Sequence, residues 1–145
     1  MAEVGIDRRD DPTIPNAEDL YRRVVTAWIV PDQAAGRNRL SSAAFDDSRN
    51  EISVDLSSMI SPEESLRLGL RFGGGPLRGL VAVTAGQARD LDQVVVRDPI
   101  PEDPAWSLPG NPAHSLICGK QTKSVKKRLA AQARWVYPPD QNPFV

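Results

Sequence analysis

The sequence is short of the two side chains that most often carry covalent or metal chemistry, with a single histidine, His114, and a single cysteine, Cys118. A lone thiol closes no internal disulfide, and one imidazole plus one thiol fall short of the four ligands that a structural zinc ion takes. No metal and no cofactor are therefore expected. Long apolar runs are missing too. Nothing approaches the ~18 residues that a membrane-spanning helix needs, and Met1-Ala2-Glu3-Val4-Gly5 has neither the basic nor the apolar region of a secretion signal. The expectation is a cytoplasmic protein with no membrane contact. Net charge is nearly absent, 18 Lys and Arg standing against 19 Asp and Glu, so attraction to a polyanion must come from a local patch.

Complete catalytic signatures are likewise lacking. Gly73-Gly74-Gly75 does not follow the spacing of a dinucleotide loop. Gly119-Lys120 is followed by Gln121, where a phosphate-binding loop needs Ser or Thr, and no Gly-x-Ser-x-Gly elbow occurs.

What the chain does have is 145 residues, enough for one domain that buries roughly 70% of its unfolded surface, with 40% hydrophobic and 26% charged residues. Residues 1–16, with Asp7, Arg8, Arg9, Asp10, Asp11, Pro12 and Pro15, show no periodicity and read as a flexible acidic arm. Residues 17–137 form the domain and 138–145 a tail. Glu18 to Val30 mixes aromatic and β-branched residues behind Asn16 and reads as a helical start passing into a strand near Val24. Leu40 to Phe45 suits a short strand or turn. Ile52, Val54 and Leu56 alternate with polar residues, the pattern of a half-buried strand.

Ser61-Pro62-Glu63-Glu64 places a cap, a first-turn proline and a glutamate three residues on, so a helix starts there, to stop at Gly73-Gly74-Gly75-Pro76. Leu80–Val83 and Val94–Val96 read as strands either side of a short helix capped by Thr84. Pro99, Pro101, Pro104, Pro109 and Pro112 remove backbone donors and predict an extended surface loop. Leu116-Ile117 suits one more strand. Val125, Leu129, Ala133 and Val136 follow helical spacing and predict a basic carboxy-terminal helix over 122–136. The fold class is α+β, a single small domain with a mixed sheet.

Histidine exchanges a proton near neutral pH, which makes His114 the candidate acid or base, although bonding a backbone carbonyl to fix the proline loop is the commoner role at such a position. Cys118, in the apolar run Leu116-Ile117-Cys118, reads as a buried and inert thiol. Lys120 to Arg134 contains no acidic side chain, whereas Glu3, Asp7, Asp10, Asp11, Glu18 and Asp19 meet only Arg8 and Arg9 near the amino terminus. On one helix, Lys123, Lys127 and Arg134 share a face and make a patch for phosphate, nucleic acid or an acidic partner. Trp135 and Tyr137 beside it can stack on a base or pack at the helix end.

The strings Leu40-Ser41-Ser42-Ala43-Ala44-Phe45-Asp46-Asp47-Ser48, Ile52-Ser53-Val54-Asp55 and Asn111-Pro112-Ala113-His114 resemble the motif set of a family of small bacterial proteins with no known activity. Leu20-Tyr21-Arg22-Arg23 and Arg39-Leu40-Ser41-Ser42 resemble a second pattern, that of the ADP-ribosyltransferase-like group, in which an early strand supplies a basic residue and a later one a Ser or Thr. That resemblance implies an enzyme acting on a nucleotide or phosphorylated substrate. Arg22 or Arg39 would hold phosphate, Ser41 or Ser42 would orient the substrate, and His114 would move the proton, all converging on one cleft. The leading expectation is nonetheless a non-catalytic bacterial interaction protein that binds a partner protein from the same system, because no catalytic motif is complete and a long proline loop is free for recognition.

Overall fold

Strand alternation becomes a sheet only where each strand finds a neighbour, and here six strands join in one sheet among the described residues. The computed structural model describes residues 8–32, 34, 36–72 and 77–138. In chain order these form β1 (Asp19–Val25), β2 (Ile29–Asp32), β3 (Arg37–Leu40), β4 (Glu51–Leu56), α1 (Pro62–Phe72), β5 (Leu77–Thr84), α2 (Ala85–Arg89), β6 (Val94–Arg97), β7 (His114–Cys118), α3 (Lys123–Gln132) and β8 (Arg134–Tyr137). The sheet order is β6-β7-β4-β1-β5-β8, all pairings antiparallel, while β2 and β3 form a separate hairpin. Helices and sheet in one small unit make the α+β class.

Because side chains alternate across a strand, the register sorts the chemistry onto two faces. On one face Leu20, Val24, Ile52, Val54, Leu56, Val81, Val83, Val95 and Ile117 pack with Phe45, Ala85, Ala88 and Leu129, which closes the main core under α2 and α3. On the other face lie α1, with Leu66 and Leu68 buried, and a polar cluster around Asp55. Asp55 is 1% exposed. Its carboxylate accepts from Arg23 Nη1 at 2.8 Å, Ser65 Oγ at 2.7 Å and Asn111 Nδ2 at 2.8 Å, so β4, β1, α1 and the proline loop meet on one buried charge. A buried carboxylate is tolerated on that condition alone, that its lone pairs are engaged and its charge is matched.

Several expectations from the sequence hold. Ser61 Oγ accepts from Glu64 N at 3.1 Å and α1 begins at Pro62. Thr84 and Gln87 complete a reciprocal capping box at α2. The stop at Gly73-Gly74-Gly75-Pro76 falls outside the described residues, as do the first seven residues of the arm and the tail from 139 onward.

Others are corrected. The arm from residue 8 is part of the domain: Ile14 is 1% exposed within the core, and Asp11 N donates to Val95 O at 2.8 Å, covering the outer edge of β6. Residues 19–25 are strand from the start, since pairing with β4 and β5 on both sides outweighs a helix start. Asn16 caps nothing there; its Oδ1 accepts from Arg89 Nη1 at 2.7 Å. The last helix ends at Gln132, not 136, because Ala133 turns to extended backbone (φ −64°, ψ 138°) and residues 134–137 pair with β5. The basic helix is therefore not the terminal element.

Asp55→Ala should destabilise the protein by about 3–5 kcal/mol in urea unfolding, because it leaves a half-buried guanidinium, a buried amide and a buried hydroxyl without their shared acceptor. A loss under about 1 kcal/mol would put this cluster in the class of surface ion pairs instead.

Candidate functional site

The β2–β3 hairpin and α3 leave a cleft of about 700 Å³ between them, lined by Asn38, Arg39, Ser41, Ser42, Lys127 and Trp135 among others. Each wall follows from a local anchor. Leu40 packs against the core and Ser41 N donates to Trp28 O at 2.7 Å, which fixes the hairpin and leaves Arg39 exposed. Ser41 Oγ accepts from Ala43 N at 3.2 Å and opens the 3-10 turn Ser42–Phe45, whose Ala44 and Phe45 are buried. On the opposite wall, Thr122 Oγ1 caps α3 by accepting from Val125 N at 3.2 Å. Leu129 enters the core, so Lys127 turns outward to the cleft.

Trp135 of β8 completes the lining, half-buried over Gly79. A Cβ on Gly79 would collide with the Tyr137 carbonyl and come within 3.0 Å of the indole, so only glycine lets that ring settle there.

The cleft is cationic but unevenly so. Lys126, one residue before Lys127, is taken by Asp46 at 2.8 Å, and Asp32 adds a negative charge to the lining. Among the described residues no carboxylate pairs with Arg39 or Lys127. Two free cations, the Ser41 and Ser42 hydroxyls, an amide at Asn38 and an indole face are the complement of a phosphate joined to a flat ring.

Of the residues singled out in the sequence, Arg39, Ser41, Ser42 and Lys127 come together here. Arg22 does not join them. It is 8% exposed, its guanidinium donates to Ala44 O at 2.8 Å, Ser53 O at 2.9 Å and Asp47 Oδ2 at 3.2 Å, and it lies 5.4 Å from the Trp28 ring. Burial pushes its pKa below the usual arginine value while Asp47 opposes that shift, the pattern of a structural arginine under the 3-10 turn. Arg134 leaves the patch as well. It lies in β8 opposite Ala82, on the α1 face, and pairs with Asp19, so it is separated from Lys123 and Lys127 by the sheet.

His114 is opposite Asp55 in the β4–β7 register, hence on the face away from Trp135, which is opposite the core residue Val81. Its Nδ1 is 2.8 Å from Asp98 O and 3.3 Å from Asp98 Oδ2. The expected convergence of Arg22, Arg39, Ser42 and His114 on one cleft is therefore not found. The imidazole fixes the entry to the proline loop. Cys118 is buried and its thiol pKa is pushed up to about 11 by that burial, with Glu51 adding to the shift, so it is a poor nucleophile.

The role of Trp135 was partly legible from its place beside the basic residues. That of Asn38 and the hairpin was not, since only the folded hairpin brings residues 38–42 against α3. No protein-family model, curated protein or solved structure matches this chain.

His114→Asn should cost about 0.5–1.5 kcal/mol of stability, the contribution of one hydrogen bond, and leave binding at the cleft unchanged. A variant as stable as the parent but unable to bind would contradict the structural role given to this histidine.

Proposed function

We propose that this chain is a binding module for a ligand that joins phosphate to a flat ring, of which a nucleotide is the simplest case. The observation that carries the reading is the meeting of Arg39, Ser41, Ser42 and Lys127 around the Trp135 indole in one cleft. Guanidinium and ammonium groups supply charge-assisted bonds to phosphate oxygens, serine hydroxyls supply orientation, and the indole offers a stacking face. The part of the nucleotide expectation that assigned proton transfer to His114 is not carried forward, because that side chain is on the other face of the sheet. What remains is recognition.

Titration with ATP, followed by tryptophan fluorescence, tests this. Arg39→Ala and Lys127→Ala should each weaken binding by about tenfold or more, since a hydrogen bond to a charged group contributes about 1.5–3 kcal/mol. Equal affinity in both variants and the parent would remove the cleft from consideration.

A second reading, binding of a partner protein, is favoured by one separate feature. Trp106 is 76% exposed at the tip of the proline loop, yet the tip itself is ordered by the Asp103–Leu108 bridge, with Leu108 N donating to Asp103 O at 3.0 Å. An exposed aromatic on a hydrogen-bonded loop suits insertion into a partner. Trp106→Ser should leave the melting temperature unchanged and lose the proteins that copurify with the parent from its native host. Recovery of the same proteins at the same level would count against it.

A further inference from the structure

A second, shallower depression lined by Lys123, Ser124, Lys127, Arg128 and Ala131 shares Lys127 and Ala131 with the cleft, so the two adjoin there and make a path from the hairpin along the exposed side of α3. Arg39, Lys127, Lys123 and Arg128 mark that path. All four are exposed, and among the described residues none is paired with a carboxylate. The path also reaches the first turn of α3, which contains no acidic residue.

A mononucleotide accounts for the cleft but not for the cations beyond it. Lys123 and Lys127 are four residues apart on a helix, where neighbouring side chains start about 5–6 Å from each other, a separation comparable to that of consecutive phosphates along a strand. Trp135 sets the strandedness. It is half-buried between the hairpin and α3, and a base can present its face to the indole there only if it is not already stacked within a duplex. Resting on the nucleotide reading of the cleft, we infer that the ligand is a single-stranded nucleic acid. One base stacks on Trp135, and the backbone runs from Arg39 over Lys127 to Lys123 and Arg128.

Fluorescence anisotropy with labelled oligouridylate and oligo-dT of about twelve residues, within the range that a single stacking domain covers, is the test. It is run beside ATP, a duplex of the same length and poly-glutamate. Both single strands should bind at least tenfold more tightly than ATP, and more tightly than the duplex. The logarithm of the binding constant should fall with the logarithm of salt at a slope of about −3, the value for roughly four neutralised phosphates on a single strand. The double variant Lys123→Gln with Arg128→Gln should bring the oligonucleotides down to the affinity of ATP and leave ATP itself unaffected. Oligonucleotides no tighter than ATP and no steeper in salt would overturn the strand inference while the cleft reading stands. Failure of every nucleotide probe would end both. Duplex binding equal to single-strand binding would remove the stacking argument, and poly-glutamate binding as tightly as the oligonucleotides would turn the path into a general site for acidic partners.

Discussion

A carboxylate can stay out of water only while its lone pairs and its charge are matched, and Asp55 imposes that condition on four segments at once. Arg23 brings β1, Ser65 brings α1 and Asn111 brings the proline loop to a strand that also pairs with β1 and β7. Asn111 then works twice more. Its backbone exchanges bonds with Ile100 in both directions, and its Oδ1 accepts from Ala113 N at 3.2 Å. A loop with five prolines between 99 and 112 has few donors of its own, so these bonds, with His114 on Asp98 and the Asp103–Leu108 bridge at the tip, hold it in one shape.

This arrangement assigns the two faces of the sheet different work. The α1 face holds the buried polar cluster, His114 and the Arg134–Asp19 pair, groups that satisfy one another. The α3 face is closed by apolar packing, and beyond its edge Arg39 and Lys127 have no carboxylate partner among the described residues. Two described amino-terminal carboxylates are engaged elsewhere, Asp10 with Arg89 at 3.0 Å and Asp11 with Arg97 at 3.0 Å. A chain of formal net charge −1 thus keeps a local cationic path by occupying its acids at other places.

Elements marked by local chemistry were readable in the sequence. The alternation of Ile52, Val54 and Leu56, the Ser61 cap and the Thr84 cap each encode their own structure within a few residues. Elements decided by distant partners were not. Val125, Leu129, Ala133 and Val136 fit a helical repeat, but Trp135-Val136-Tyr137 gains more by pairing with β5, and Gly79 makes room for it there. Arg22 and Arg23 looked alike as neighbours in sequence. Strand alternation sends one under the 3-10 turn and the other to Asp55, and both guanidiniums are engaged by structural partners rather than left open as a phosphate ligand would be. Of the candidate site, Ser41, Ser42, Arg39 and Lys127 were each visible as residue types, whereas their adjacency depends on a hairpin that local patterning does not announce.

The proposed ligand site lies between residues 38–42 and α3, with Trp135 in its lining. Backbone amide mapping by NMR during ATP addition examines it most directly. The account requires the shifted resonances to concentrate in 38–42, 127–131 and 133–135, with the Trp135 indole among them, and those of 98–118 to stay still. Shifts centred on His114 and the proline loop, or none at all, would contradict it.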